Sequence, residues 1–307
     1  MAEAAREREY PAEPDMSAEV AALAAHPNMP RALRVLATNI IDLYRRRPIL
    51  NLVMNDRGRM AVSHIALYLH YSADPADPGS GLTTNRFKQV CAQAGLGSPG
   101  RAVAILALMR FAGLLEPEAH SNRGQRRRLV PTEAFVALQR DRMRQAFTAL
   151  AHIRHEGAIG LACLEDDAFI ARLMRAIGDA MRSGGRPILF APRMTYFFEH
   201  NAGMMILLSL VLLGDPQDTV PPAGPLTVSV AALARRFAVS RTHVTRVLAG
   251  AEAEGLLRRE VRDGNTYRLT PELRETVTTF TAALLTLVAR AVAMATDGRE
   301  PEQNPVE

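Results

Sequence analysis

The sequence predicts a mainly α-helical fold with small β-hairpins, built as two similar units that helices join. Three observations support this prediction. A long, imperfect internal repeat divides the 307 residues into two halves. Apolar residues recur at helical spacing in both halves, and each half then continues into two short strand-like stretches around a polar tip. The length also fits two domains of about 150 residues each.

The internal repeat consists of four matched features that occur in the same order in both halves. Their shared order and similar separations are much harder to obtain by chance than any single match. The features are RPIL at Arg47–Leu50 and Arg186–Leu189, the ungapped pair Ser98–Leu115 and Ser240–Leu257 at an offset of 142 residues, RLVP at Arg128–Pro131 against RLTP at Arg268–Pro271 at an offset of 140, and a following apolar helix at Ala134–Leu150 and Leu273–Ala295.

Each copy of RPIL lies between two predicted helices, so the repeat defines the domain organisation. These flanking helices are Ala32–Tyr44 and Met60–His70 in the first half, and Ala168–Met181 and Gly203–Leu213 in the second. The predicted organisation is an acidic tail over residues 1–29, a first unit over 30–150, a linker over 151–164, a second unit over 165–296 and an acidic tail over 297–307.

The second half shows its elements most clearly. A helix and a sharp turn lead to Ser240, which is placed as the N-cap of a second helix, and Gly255 ends that helix. An Asp-Gly hairpin turn, RDGN at Arg262–Asn265, separates a strand starting at Leu256-Leu257 from one at Thr266–Leu269. The positions predicted to be buried are Val230, Leu233, Ala234 and Phe237 in the first helix, and Val244, Val247, Leu248 and Ala251 in the second.

The first half repeats this plan with its own residues. Ala102, Ile105, Leu106 and Met109 take the buried positions of its second helix. Its hairpin tip is longer and strongly basic, with the sequence SNRGQRRR at Ser121–Arg128. Two helices joined by a turn and followed by a β-hairpin form the winged helix-turn-helix plan. The full prediction is therefore a tandem of winged helix-turn-helix domains joined by helices.

One stretch of the second half, VSRTHVTRVLAGAEAEGLLRREVRDGNTYRLTPEL, resembles the MarR family of bacterial transcriptional regulators. The resemblance lies in the VSRTxV turn into the second helix, the GLL that starts the strand, the hairpin, and the LTPE that starts the following helix. It covers the second half well and the first half weakly. The hairpin has Asp263-Gly264-Asn265 where the family has Asp-x-Arg. MarR proteins are homodimers of short chains, whereas this chain contains both units, so the resemblance implies a monomeric pseudo-dimer.

The resemblance implies binding to double-stranded DNA through the second helix of each unit and through the hairpin tips. In the second unit the outward side chains offer donors, acceptors and a methyl group, which are the means of reading base edges. In the first unit only Arg101 can make a bidentate contact with guanine, because its neighbours on that face are Pro99, Gly100, Val103 and Ala104. We therefore expect a pseudo-palindromic site with unequal halves. The expected DNA contacts are Ser98, Arg101, Arg123, Gln125, Arg126, Arg127, Ser240, Arg241, Thr242, His243, Thr245, Arg246, Arg262 and Asn265.

Positive charge is concentrated in two blocks. The formal net charge is +5, and 36 of the 37 basic residues are arginine. Residues 82–145 contain 11 basic and 4 acidic residues, and residues 226–275 contain 9 and 6, whereas both ends of the chain are acidic. This distribution is expected of an anion-binding surface. The side chains of the first block best suited to phosphates or a narrow minor groove are Arg123, Arg126, Arg127 and Arg128.

The predicted function is a sequence-specific transcription regulator that binds double-stranded DNA in the bacterial cytoplasm. Two alternatives remain open. A plasmid-type replication initiator also joins two winged helices in one chain, and a tandem winged-helix interaction module would bind protein instead of DNA. No Ser/His/Asp or paired-carboxylate pattern indicates an enzyme. No motif identifies a small-molecule effector, and no cofactor is predicted.

The remaining signals favour structural roles. The longest apolar run, Met204–Leu213, is about half the ~20 residues of a membrane span, and the polar N-terminus resembles no signal peptide, so no membrane association is predicted. Cys91 aligns with an interior position of the repeat and is expected to be a core thiol rather than a sensor. No metal is predicted, because the nearest group of ligand-type residues lacks dense spacing. That group is His152, His155, Glu156 and Cys163.

Overall fold

The structure is a computed structural model that describes residues 16–46, 57–74, 76–77, 79–93, 98–118, 128–183, 185–214, 219–260 and 264–297. It is mainly helical with two small antiparallel sheets, which confirms the predicted fold class at this level. The helices of the first half are α1 (Ser17–Ala24), α2 (Met29–Arg46), α3 (Arg57–Tyr71), α4 (Thr84–Gln93), α5 (Pro99–Phe111) and α6 (Glu133–Leu150). Those of the second half are α7 (Glu156–Ala162), α8 (Asp167–Arg182), α9 (Pro187–Phe190), α10 (Thr195–Glu199), α11 (Gly203–Val211), α12 (Val230–Phe237), α13 (Arg241–Ala253) and α14 (Pro271–Asp297), with a 3₁₀ turn at Pro192–Met194.

Each sheet contains one predicted hairpin. The antiparallel pairs are β1 (Leu115–Pro117) with β2 (Leu129–Pro131), and β4 (Leu257–Arg259) with β5 (Thr266–Leu269). A further strand, β3 (Leu226–Thr227), pairs with the other edge of β5. Sequence reasoning missed β3 because two residues are too few to show strand periodicity. In the first half, the Leu129 N–H donates an equivalent hydrogen bond to the Leu82 carbonyl oxygen at 2.8 Å.

The helix–turn–helix–hairpin segments of the two halves have the same helix caps and the same left-handed glycine. Ser98 and Ser240 cap α5 and α13, each accepting a hydrogen bond from the backbone N–H three residues later, at 3.2 and 3.0 Å. Gly113 and Gly255 follow these helices with φ of +70° and +73°, a left-handed conformation that favours glycine. All predicted inward residues of the two helices are buried: Ala102, Ile105, Leu106 and Met109 in α5, and Val244, Val247, Leu248 and Ala251 in α13.

The predicted match between RLVP and RLTP is wrong by two residues. In the paired strands, Pro131 takes the position of Leu269 and not that of Pro271. Thr132 and Thr270 then correspond, and each caps the long helix that follows by accepting an N–H hydrogen bond. The short sequence match misleads because proline ends a strand in one half and opens a helix in the other, and both positions tolerate a missing N–H.

The helices of the two halves interlock in one hydrophobic core. Helix α8 of the second half packs against α3 of the first, where Gly178 lies so close to the Tyr68 ring that any added side chain would overlap it. Helix α11 packs against α2, and α14 packs against α2, α6 and α8. The two units therefore share a helical body, which consists of α1–α3, α6–α11 and α14. Each unit adds its own helix–turn–helix–hairpin segment to this body.

The structure moves two predicted boundaries. Residues 16–29 are not part of a tail, because α1 packs against α14 with Val20 and Leu23 buried, and Glu19 pairs with Arg290 at 2.6 Å. The guanidinium of Arg290 lowers the pKa of Glu19. The expected linker contains α7, which packs against α6. The acidic composition of the N-terminal residues did not predict α1. A short helix of this kind is stabilised mainly by packing its few apolar side chains against a neighbouring helix, which the local sequence does not show. Residues 1–15 and 298–307 lie outside the described part of the chain.

Helix α14 is long and apolar enough to cross a membrane by length and composition, the one such helix among the described residues. However, 61% of its most apolar window is buried inside the protein. This burial, against α8 and α1 among others, is consistent with the central helix of a soluble protein.

Candidate nucleic-acid interface

Helix α13 presents a polar outward face at its N-terminus. Because Val244, Val247 and Leu248 point inward and are fully buried, the residues between them must point outward. The exposed side chains of these first two turns are Arg241, Thr242, Thr245 and Arg246. The unbonded N–H groups of the first turn add partial positive charge at the same end. This end of α13 therefore combines hydrogen-bonding side chains with an affinity for anions.

The N-terminal part of α13 and the residues that precede it are basic, with no acidic residue among them. Residues 219–251 contain four arginines and no Asp or Glu. Within the described part of the chain, neither Arg241 nor Arg246 has a carboxylate partner. In the helical body, by contrast, arginines such as Arg144 and Arg290 form ion pairs at 2.7 and 2.6 Å. Among the described residues, nothing neutralises the charges of Arg241 and Arg246, which favours binding of an anionic ligand.

His243 differs from its predicted outward position. Its side chain is half-buried, and its Nε2 lies 2.8 Å from the carbonyl oxygen of Asn201. A carbonyl oxygen only accepts, so Nε2 must bear the hydrogen of this bond. His243 therefore ties the first turn of α13 to the corner between α10 and α11. Sequence reasoning had no signal for this contact, because the two residues are 42 positions apart.

Two further contacts hold α13 against the same segment, residues 192–201. Tyr196 donates its hydroxyl hydrogen to the Val247 carbonyl oxygen at 2.7 Å, and burial raises the pKa of Tyr196. Arg193 pairs with Glu254 just after α13 and, at 2.9 Å, with Glu272 in the first turn of α14. This segment therefore fixes α13 at its beginning, middle and end.

Helix α5 occupies the matching place in the first unit but presents a different face. Ser98 and Arg101 lie together at its exposed N-terminus, where the Ser98 hydroxyl accepts the hydrogen bond of the Arg101 backbone N–H. Next to them the exposed residues are Gly100, Val103 and Ala104. Arg101 is thus the one expected base-reading side chain of α5. As the sequence predicts, the exposed face of α13 is polar and that of α5 is mainly apolar.

The described residues include the bases of the two hairpins but not most of their tips. Arg128 donates hydrogen bonds to the carbonyl oxygens of Asp74 and Asp77, which fastens the hairpin base to residues 74–80. Its guanidinium is therefore structural, although its place in the basic run made it look suited to phosphate. Asn265 is exposed, and its backbone carbonyl accepts from the Val228 N–H at 2.8 Å. The remaining predicted contacts lie outside the described residues: Arg123, Gln125, Arg126, Arg127 and Arg262.

The side chains considered for other chemistry take structural roles. Cys91 is 1% exposed, and burial raises the pKa of its thiol to about 12, which confirms the predicted core thiol. Glu156 is buried and paired with Arg154, whose hydrogen bond lowers the pKa of the carboxyl. Among the described residues, no group of three or more His, Cys, Asp or Glu side chains is placed to hold a metal ion.

Comparison with known protein families, curated proteins and solved structures finds no match to this chain. Its function must therefore be inferred from the geometry of the chain itself.

Proposed function

We propose that this protein is a sequence-specific transcription regulator that binds double-stranded DNA, with α13 as its main base-reading helix. The observation that supports this most directly is the exposed N-terminal face of α13, where Arg241, Thr242, Thr245 and Arg246 lie without carboxylate partners in the described structure. Arginine reads guanine with two hydrogen bonds, and threonine offers a hydroxyl and a methyl group to base edges. A rigid, capped helix with this face fits the major groove.

The proposal includes a tandem winged helix-turn-helix architecture similar to the MarR family. Both halves contain two helices, a serine-capped second helix, a left-handed glycine and an antiparallel hairpin in the same order. Because both units belong to one chain and share a core, a single chain would act as a monomeric pseudo-dimer. The first unit would contact the duplex mainly through its hairpin arginines and Arg101, at the edge of α5, and would add little sequence information.

The test starts from the protein's own preferred site. Genomic fragments captured by the purified full chain are sequenced to derive a motif, and affinities for that motif and for random duplex are measured by fluorescence titration at one salt concentration. We expect Arg241→Ala or Arg246→Ala to cost about 1–3 kcal/mol on the motif and much less on random DNA. The fold should be retained because both side chains are exposed.

Exposed arginines of the helical body provide the matched control. Arg31 on α2 and Arg175 on α8 are also exposed, and Arg31→Ala and Arg175→Ala should leave both affinities within twofold. An absence of any enriched motif would contradict sequence-specific binding. An unchanged motif-to-random ratio in both Arg241→Ala and Arg246→Ala would contradict the role given to α13.

A further inference from the structure

Helix α5 has an apolar outward face that the proposed DNA contact does not use. Val103, Ala107 and Phe111 follow one another at every fourth position, with Gly100 and Ala104 beside them, so all five share one side of the helix. All five are exposed, and the exposed fraction of Phe111 is 86%. A phenylalanine left in water beside other apolar residues forgoes the hydrophobic gain of burial, which is typical of an interaction surface.

The matching face of α13 is polar where α5 is apolar. At the offset of 142 residues, Thr242, Thr245 and Arg246 of α13 stand where α5 has Gly100, Val103 and Ala104. Near the C-terminal end, α5 has the larger side chain, because Phe111 of α5 matches Ala253 of α13. The two helices share their buried positions and their caps, so the divergence is confined to the surface that a partner would touch.

Base edges are a poor partner for the middle of the α5 face. Each base pair presents hydrogen-bond donors and acceptors in the major groove, and the thymine methyl is the one apolar group there. Covering those donors and acceptors with Val103 and Phe111 would remove their water without replacing the hydrogen bonds, which is unfavourable for each group. A protein surface with its own apolar side chains does not incur this cost.

The charges beside this face indicate which kind of protein would bind it. Arg101 and Arg110 lie on opposite flanks of the apolar stripe, and α5 itself contains no acidic residue. A symmetric contact with a second copy would therefore place basic flanks against basic flanks, which is unfavourable. The chain's own acidic ends cannot form a matching stripe, because the only large apolar side chains of residues 1–15 and 298–307 are Met1, Tyr10 and Val306. An acidic partner from another protein fits both properties.

We infer that α5 docks a helix of another protein, whose apolar stripe is flanked by carboxylates. Gly100, Ala104 and Ala107 are small enough to let a second helix approach closely. Phe111 then serves as the large anchor, and Arg110 pairs with an acidic flank of the partner. This inference goes beyond the proposed function and does not depend on it, because α13 can read DNA while α5 is occupied or empty. A partner helix on α5 would compete only for Arg101.

The test uses two fluorescent synthetic helical peptides and the full-length chain. Both peptides have leucines at i, i+3, i+4 and i+7; one has glutamates on both flanks of this stripe, and the other has lysines in their place. By fluorescence anisotropy, the acidic peptide should bind at least tenfold more tightly than the basic one. The double variant Val103→Ser with Phe111→Ser should weaken the acidic peptide at least tenfold. The matched α13 variant, Ala249→Ser with Ala253→Ser, should leave peptide affinity unchanged.

Further measurements on the same variants distinguish a partner helix from DNA or a second copy of the chain as the ligand of the α5 face. Thermal unfolding should be unchanged in Val103→Ser with Phe111→Ser, because both side chains are exposed, and affinity for the preferred DNA motif should stay within twofold. Equal binding of the two peptides, or binding of neither, would overturn the inference. A tenfold loss of DNA affinity would assign the face to DNA. A concentration-dependent dimer that this variant abolishes in sedimentation would assign it to a second copy. The α13 arginine variants test the proposed function separately.

Discussion

The Tyr196 hydroxyl lies 2.7 Å from the carbonyl oxygen of Val247, in the middle of α13. Gly250, one turn further along, leaves the space for this contact, since a Cβ atom there would overlap the hydroxyl. His243 and Asn201 make a second bond near the start of the helix, at 2.8 Å. The orientation of the proposed base-reading helix is therefore set by residues 192–201 of the helical body as well as by its own hairpin.

The first prediction tests this fit by a double-mutant cycle. Gly250→Ala should lower the free energy of unfolding by about 1–3 kcal/mol, because the added methyl forces Tyr196 or α13 to move. Tyr196→Phe alone should cost about 1 kcal/mol, because it removes the hydrogen bond to Val247. In the Tyr196→Phe background, Gly250→Ala should cost less, since the hydroxyl that it meets is gone. Urea unfolding monitored by circular dichroism gives all four values.

Gly100 supplies the control for helix propensity. It lies in the first turn of α5, and a Cβ atom there would meet no atom within 4 Å. Gly100→Ala should therefore leave stability unchanged or raise it by up to about 1 kcal/mol. An equal cost of Gly250→Ala with and without the Tyr196 hydroxyl would contradict the proposed fit.

Local patterns predicted α5 and α13 well. In each half the apolar spacing, the serine cap and the terminal glycine all lie within sixteen consecutive residues. Periodicity and capping chemistry therefore determine which side of the helix faces inward. The polar face of α13 followed directly from this assignment, with Arg241 and Arg246 exposed as predicted.

Contacts between distant segments could not be predicted in the same way. His243 looks like a base reader from its spacing, but its partner Asn201 comes from a different element. Arg128 belongs to a basic run, yet residues 74–80 provide carbonyl oxygens that bind its guanidinium. In both cases a polar side chain satisfies a backbone group that only tertiary packing brings near.

The second prediction concerns the basic hairpin tip, which lies outside the described residues. If Arg123, Arg126 and Arg127 bind phosphates, replacing all three by alanine should weaken binding to every duplex alike. The slope of log affinity against log salt should also become less steep, by about 0.9 for each phosphate that the variant no longer neutralises. Titrations at four salt concentrations measure this slope.

Arg128 should behave differently from its three neighbours. Because its guanidinium donates to the carbonyls of Asp74 and Asp77, Arg128→Ala should reduce stability and leave the salt slope unchanged. A slope that is the same in the triple variant and the wild type would show that this hairpin does not touch DNA.

The third prediction concerns Cys91. Because burial raises the pKa of this thiol to about 12, almost no thiolate exists near pH 8, and the thiol should not react with a disulfide reagent in the native protein. Ionisation is easier in the unfolded chain, so this residue should lower stability as the pH rises above about 9. Counting reactive thiols in native and denatured protein provides the measurement, and Cys91→Ala separates this thiol from Cys163. Rapid native modification that disappears in Cys91→Ala would contradict the core assignment.

The last prediction concerns stoichiometry and the shape of the bound site. Both helix–turn–helix–hairpin segments belong to one chain and extend from one shared core, so one chain should occupy one short site. If the first unit contacts the DNA phosphates while α13 reads bases, DNA footprinting should show one strongly protected half-site. A second, more weakly protected half-site should be centred about 10 bp away. Base substitutions in the half-site read by α13 should cost about 1–3 kcal/mol each, and substitutions in the other half much less. Analytical ultracentrifugation of the complex measures the number of chains on a duplex that contains one site. Two chains on that duplex, or equal sensitivity of the two half-sites, would show that the two units do not act as an internal, unequal pair.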